Sequence, residues 1–168
     1  MSESLPVALA KEVGSALLKR GWRLVSAESC TGGLLAATMT EITGSSEWFE
    51  GAFVTYRLSA KTAMVGVSEE MLGRHGAVSE PVARAMAEGA LTHSDGDIAV
   101  SITGIAGPDG GDLVSPVGTI WFGWALREGA GIQCVQTAEH HLSGSRQAVR
   151  SEAVSVALEG VLALCRPA

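Results

Sequence analysis

Helix-like and strand-like segments alternate along most of this chain, and this alternation most limits how it can fold. Amphipathic or small-residue segments lie between short apolar runs, and the last two predicted strands follow one another as a hairpin. This order predicts an α/β fold: a single three-layer α/β/α domain over residues 1–168, with a mixed β-sheet. The predicted helices are 6–19, 32–40, 60–65, 68–72, 79–92 and 145–164, and the predicted strands are 23–27, 51–56, 97–103, 117–126 and 132–140.

Composition narrows the class of partner. Charged residues make up only 18% of the chain and its net charge is -6, which predicts no nucleic-acid partner. Cys30, Cys134 and Cys165 are odd in number and far apart, so they do not resemble a disulfide framework. No signal-like segment and no run approaching a membrane span is present, so we expect a cytoplasmic protein without a membrane partner.

The turn at residues 27–33 contains the first candidate reactive residue. It reads Ala-Glu-Ser-Cys-Thr-Gly-Gly, between a predicted strand and a predicted helix. Helix starts present free backbone N–H groups that attract anions and developing negative charge. Ser29 therefore lies where a nucleophile and an oxyanion hole could form together. The alternative interpretation is a helix N-cap with a tight turn.

Lys61 is the candidate base. It lies five positions after Tyr56, in a segment that is otherwise mostly apolar and small. Burial would lower the pKa of its ammonium group, because desolvation disfavours the charged form. A lysine with a pKa near neutrality can take a proton from a serine. The alternative is an exposed surface lysine.

A glycine-rich loop at residues 103–111 follows a predicted buried strand, at the sheet edge where open α/β folds bind ligands. Its glycine spacing matches neither a Walker A loop nor the dinucleotide fingerprint, but such a loop can offer several N–H groups to an anion. Arg146, near the start of the last helix, could bind a phosphate through two hydrogen bonds. A long surface turn and a solvated arginine are the alternatives.

The sequence predicts no metal site and no cofactor. The four histidines have none of the common metal-ligand spacings. The adjacent His140 and His141 would point to opposite faces of a strand, so they do not readily share one ion.

Together these segments resemble a known family, the C-terminal domain of the competence/damage-inducible protein CinA, which also occurs as a stand-alone nicotinamide-nucleotide amidohydrolase. The resemblance extends from about Val7 to Leu164, in the family's order. The matching segments are 27–33, 44–46, 51–56, 60–61, 66–67, 75–79, 103–111 and 116–119.

The resemblance implies a reaction and a set of site residues. The reaction is hydrolysis of the carboxamide of nicotinamide mononucleotide to nicotinate mononucleotide and ammonia, without a metal or cofactor. Ser29 falls on the nucleophile position, Lys61 on the general-base position, and Tyr56 on a position that assists proton transfer. The remaining residues are implied to bind the oxyanion, the ribose or the phosphate. They are Cys30, Thr31, Gly32, Thr103, Gly104, Gly107, Gly110 and Arg146.

One segment departs from the family pattern. After the tyrosine the family usually reads Ser-Asn-Glu-Ala-Lys, whereas residues 57–61 read Arg-Leu-Ser-Ala-Lys. The lysine keeps its spacing, but the loss of the polar pair leaves the exact substrate preference open. Two other functions also stay open: a non-catalytic regulatory domain that binds a nucleotide in the same cleft, and a structural or interaction module. The tryptophan-bearing hairpin is compatible with a homodimer.

Overall fold

The computed structural model describes residues 2–167, so the two end positions of the predicted 1–168 domain lie outside the described residues. Within that range the chain is an α/β protein whose helices and strands alternate as predicted. The helices are α1 (Leu5–Arg20), α2 (Leu34–Thr40), α3 (Leu58–Val65), α4 (Glu69–His75), α5 (Glu80–Thr92) and α6 (Arg146–Cys165). The strands are β1 (Leu24–Glu28), β2 (Phe49–Val54), β3 (Ile98–Gly104), β4 (Thr119–Glu128) and β5 (Gly131–His141).

The five strands form one mixed sheet in the order β2-β1-β3-β4-β5. β1 pairs in parallel with β2 on one side and with β3 on the other. β4 pairs antiparallel with β3, and β5 pairs antiparallel with β4. The chain leaves β1 in one direction to reach β2, and then returns past β1 to reach β3. Because these two crossovers run in opposite directions, their helices cover opposite faces. The carboxyl end of β1 is therefore a switch point, where open α/β sheets bind ligands.

Two hydrophobic clusters lie on the two faces of the sheet, which confirms the three-layer arrangement. Ile98, Val100 and Ile102 of β3 pack with α1, α2 and α6 in the first cluster. Ala99, which points the other way, packs with residues of α3, α4 and α5 in the second. This division follows from the two-residue period of a strand. β1 is buried along its whole length, and six of the seven residues of β3 are buried.

Local chemistry moves some predicted boundaries. The helix predicted from residue 32 begins at Leu34, because Gly32 and Gly33 have φ angles of 58° and 98°. The helix predicted from residue 60 begins earlier, at Leu58. A serine directly before a helix predicts a side-chain cap, but the Ser79 hydroxyl does not cap α5 and donates to the Gly76 carbonyl instead.

The buried face of α6 is wider than the sequence indicates. The helical spacing of apolar residues predicts Val156 on the buried face of α6, but it is only partly buried, whereas Val154 and Leu158 are fully buried. The reason is that α6 packs against both α1 and the sheet. None of the helices within residues 2–167 is long and apolar enough to cross a membrane.

Candidate active site

A cavity of about 710 Å³ opens at the carboxyl edge of the parallel strands. Ser29 directly follows β1, the glycine-rich loop follows β3, and Lys61 lies in α3 after β2. All of the predicted site residues line this cavity except Thr31 and Gly32. Those that line it are Ser29, Cys30, Tyr56, Lys61, Thr103, Gly104, Gly107, Gly110 and Arg146.

The side chains of Ser29 and Lys61 meet inside this cavity. Lys61 Nζ lies 3.0 Å from Ser29 Oγ, 2.6 Å from the Thr55 carbonyl oxygen and 3.3 Å from the Tyr56 carbonyl oxygen. Lys61 is only 1% exposed, which excludes the alternative of a surface lysine. Burial lowers the pKa of this amine from 10.5 to about 8.

The three acceptors around Lys61 Nζ suit both of its protonation states. As an ammonium group it can donate one hydrogen bond to each acceptor. As a neutral amine it can donate to the carbonyls of Thr55 and Tyr56 and keep its lone pair for the Ser29 hydroxyl proton. The surroundings therefore need no rearrangement when the proton moves between Ser29 and Lys61.

The fold brings Lys61 to Ser29 through two local features. The Thr55 N–H donates to the Glu28 carbonyl at 2.8 Å, which continues the pairing of β1 and β2 to the point where both strands end. α3 then turns back so that Lys61 and Val65, one helical turn apart, form its buried face. Val65 packs in the second hydrophobic cluster and fixes α3 against the sheet.

Glu28 is a structural residue of this site whose role was missed. Its side chain is fully buried and accepts hydrogen bonds from the Thr31 hydroxyl and from the Leu35 and Ala36 backbone N–H groups, at 2.8 to 3.1 Å. α2 begins after Gly33 with no side-chain cap of its own, so Glu28 caps this helix from the preceding strand. The signal was an acidic residue at the end of an apolar strand just before a helix.

The turn after Ser29 leaves two neighbouring backbone donors free. The Ser29 N–H donates to the Ile102 carbonyl and the Gly32 N–H to the Ser29 carbonyl. Within residues 2–167, the N–H groups of Cys30 and Thr31 donate to no backbone carbonyl. Gly32 thus uses its own donor inside the turn.

Cys30 is a further candidate nucleophile in the cavity. Burial raises the pKa of its thiol to about 11, so the thiol stays protonated near neutral pH. A protonated thiol is a weak nucleophile.

Tyr56 and Arg146 connect two walls of the cavity. Arg146 Nη2 donates to the Tyr56 hydroxyl at 3.1 Å, and Nη1 donates to the Gly107 carbonyl at 2.7 Å. The Tyr56 hydroxyl thus pairs with Arg146, whereas its carbonyl contacts Lys61.

The glycine-rich loop also presents free backbone donors. Gly107 and Gly110 have φ angles of 82° and 99°, and neither of their N–H groups has an acceptor within residues 2–167. Thr103 fixes the start of the loop by donating its hydroxyl to the Ala77 carbonyl at 2.8 Å. Arg57 and Asp109 also line the cavity, and neither was among the individual residues predicted for the site.

No group of three or more His, Cys, Asp or Glu side chains within residues 2–167 is close enough together to hold a metal ion.

The fold and the site define a class: three-layer α/β proteins with a buried serine–lysine pair in a cavity at the carboxyl ends of parallel strands. Within this class, the family model described as the CinA C-terminal domain matches residues 7–165. The chain belongs to this family.

Relatives and solved structures agree with this assignment. The nicotinamide-nucleotide amidohydrolase PncC of Escherichia coli K12 is 52% identical over 159 residues, which cover 95% of this chain and 94% of that protein. The PncC protein of Pseudomonas putida is 43% identical over 156 residues, 93% of this chain and 94% of that protein. The competence/damage inducible protein CihA of Agrobacterium tumefaciens has a crystal structure with a TM-score of 0.89, at 38% identity, covering 99% of this chain and 100% of that one.

Longer proteins contain a similar region. A CinA-like protein of Syntrophobacter fumaroxidans is 50% identical over 155 residues, which are 89% of this chain but only 34% of that protein. The same region thus occurs both as most of a short protein and as part of a longer one.

Proposed function

We propose that this chain hydrolyses the carboxamide of nicotinamide mononucleotide to nicotinate mononucleotide and ammonia, through an acyl-enzyme formed on Ser29. The observation that carries the proposal is the buried Lys61 amine, 3.0 Å from Ser29 Oγ inside a cavity large enough for a nucleotide. The PncC relatives, named for this activity, support the choice of substrate.

The first chemical step uses the serine–lysine pair. The neutral Lys61 amine takes the Ser29 hydroxyl proton while Oγ bonds to the carboxamide carbon, which turns the carbonyl oxygen into an oxyanion. The N–H groups of Cys30 and Thr31, in the turn directly after Ser29, are the backbone donors that we assign to this oxyanion. Each such donor typically lowers the barrier by roughly 3 kcal/mol.

The same pair then completes the turnover. The Lys61 ammonium gives the proton that it took from Ser29 to the amide nitrogen as the carbon–nitrogen bond breaks. Ammonia therefore leaves, and an ester on Ser29 remains. A water molecule next gives a proton to Lys61 and attacks the ester. Collapse of the second tetrahedral intermediate releases nicotinate mononucleotide and returns the proton to Ser29.

The rest of the cavity holds the parts of the substrate that do not react. The free N–H groups of Gly107 and Gly110 suit a phosphate or ribose oxygen, and Arg146 supplies positive charge beside them. Tyr56 fixes Arg146 through its hydroxyl, and this contact connects the binding wall to the chain segment that carries Lys61. Binding energy from these remote groups helps to orient the carboxamide at Ser29.

The direct test is ammonia release from nicotinamide mononucleotide by the wild-type chain and two variants. Ser29→Ala is expected to abolish release. Ser155→Ala, which removes another buried serine hydroxyl within α6, is expected to leave it unchanged. Full activity in Ser29→Ala would refute the nucleophile. Nucleotide binding by the wild type without ammonia release would favour the regulatory nucleotide-binding domain instead.

Four further properties stay predictions. We place the reaction in the cytoplasm, which the three free, buried cysteines favour. We also expect the whole of residues 1–168 to act as one domain and to bind no nucleic acid. We also keep the homodimer as a prediction, based on the tryptophan-bearing hairpin.

A further inference from the structure

Arg150 is a charged residue whose bonds all go to the turn after Ser29. From α6, its Nε donates to the Cys30 carbonyl at 3.1 Å and its Nη2 donates to the Thr31 carbonyl at 2.9 Å. Within residues 2–167 its guanidinium forms no ion pair with a carboxylate. The positive charge is therefore directed at two peptide groups next to Ser29.

The first of these hydrogen bonds, to the Cys30 carbonyl, fixes the direction of a free backbone donor. The Cys30 carbonyl and the Thr31 N–H belong to the same planar, trans peptide group, so they point in opposite directions. While Arg150 holds the carbonyl, the Thr31 N–H points away from α6 and cannot rotate toward it. A cation bound to the carbonyl also polarises the peptide and strengthens its N–H as a donor.

α6 is suited to hold this guanidinium in place. Arg146 and Arg150 are one helical turn apart and share a face of α6, from which they reach opposite walls of the cavity. Val149 and Ala153, on the neighbouring buried face, pack in the first hydrophobic cluster. The planar fork of an arginine can bind two carbonyl oxygens at once, whereas a lysine ammonium is a single point of charge.

We propose that Arg150 is a positioning residue, which sets the Thr31 N–H group for the oxyanion of the reaction. This inference rests on the proposed function, because it assigns a role within that reaction. Arg150 does not line the cavity, so it acts through the turn and not by touching substrate. Its loss should therefore reduce kcat and leave KM nearly unchanged, since this donor acts mainly in the transition state.

The test compares Arg150→Met and Arg150→Lys with a matched control, Arg127→Met. Arg127 is also half-buried and donates only to carbonyls, those of Leu91, Ser94 and Gly96, near the opposite end of β3 from Ser29. Steady-state kinetics with nicotinamide mononucleotide and thermal unfolding are measured for each variant. Loss of Arg127 should lower the unfolding temperature without changing kcat.

We expect Arg150→Met to lower kcat by about 10- to 100-fold, the range of a displacement of about 1 Å in a reacting group. Arg150→Lys should recover part of this loss, because one carbonyl regains a charged donor. If Arg150→Met does not fold, the kcat of Arg150→Lys must still fall below that of Arg127→Met. A wild-type kcat in either Arg150 variant, or a raised KM with unchanged kcat, would overturn the role of Arg150. An inactive wild type, or an active Ser29→Ala, would instead refute the proposed function.

Discussion

Two walls of the cavity are built in opposite ways. The turn that follows β1 is fixed by two charged side chains. The buried Glu28 carboxylate accepts from its Thr31 hydroxyl and from a backbone N–H in the first turn of α2, and the half-buried Arg150 guanidinium donates to its Cys30 and Thr31 carbonyls. The glycine-rich loop that follows β3 contains few such bonds, and the segment just after it is almost fully exposed at Leu113 and Val114. Both walls start at the same edge of the sheet, so the difference comes from what the rest of the fold packs against each.

We infer that this difference separates two tasks of the proposed reaction. Chemistry at a nucleophile requires atoms held within a fraction of an ångström, which buried hydrogen bonds to charged groups can provide. Binding of a flexible phosphate or ribose tolerates a less constrained loop with several free donors. Variants that disturb the turn after β1 should therefore reduce kcat and stability together. Variants of the glycine-rich loop should act mainly on KM.

The largest effect should come from Lys61→Met, which removes the amine that contacts Ser29 in the turn after β1. We expect kcat to fall by roughly 10²- to 10⁴-fold, the usual contribution of a positioned general base. Lys19→Met, at an exposed position of α1, is the control and should be fully active. Ammonia release measures both, and a Lys61→Met variant within a factor of two of wild type would contradict the base assignment.

Glu28→Gln should have the next largest effect, because neither orientation of the new amide fits its surroundings. One carboxylate oxygen accepts from the Leu35 N–H and the other from the Ala36 N–H, so the –NH₂ group must face a donor. Loss of such a bond to a charged group costs about 2 kcal/mol, or roughly 4–8 °C in unfolding temperature for a chain of this size.

A calorimetric scan measures this loss of stability, with the exposed Glu12→Gln as a control that should unfold like wild type. We also expect kcat of Glu28→Gln to fall about tenfold, because the turn that carries Ser29 loses its anchor. An unchanged unfolding temperature would show that Glu28 does not stabilise the start of α2.

The ionisation of Lys61 should affect two measured quantities, kcat/KM and the free energy of unfolding, and both should rise with pH. The base is the neutral amine and its pKa is about 8, so below pH 8 kcat/KM should fall about tenfold per pH unit and above it reach a plateau. The unfolded chain, where this pKa returns to 10.5, binds more protons between pH 8 and 10.5. The contribution of Lys61 to the free energy of unfolding should therefore rise with pH across that window.

Lys61→Met lacks this group, so the difference in stability between wild type and variant should change with pH only between pH 8 and 10.5. Chemical denaturation at a series of pH values measures it. A difference that is constant with pH would mean that Lys61 is not held partly neutral by its surroundings.

The sequence predicted the two walls unequally, and the reason is physical. Strand periodicity and glycine turns are local signals, so the carboxyl ends of β1 and β3 could be recognised in the sequence. The strand order could not, because it depends on pairing between distant segments. The same limit applies to Arg150, which binds the Cys30 carbonyl across 120 positions of the chain, and to Lys61, which only the assembled fold shows to be buried.

The smallest effect should come from the loop wall, in Gly107→Ala. Gly107 has a φ of 82°, and an added Cβ would lie 2.5 Å from a methyl carbon of Val117, so the loop must shift. Because the Gly107 carbonyl also holds Arg146, we expect KM for nicotinamide mononucleotide to rise a few-fold with kcat unchanged. Gly129→Ala is the matched control: it has a φ of 59° in the β4–β5 turn, with no atom within 4 Å of the added Cβ, so it should lose some stability but no affinity. A fall in kcat without a rise in KM in Gly107→Ala would mean that the loop shares in positioning the reacting atoms, and the division between the two walls would be wrong.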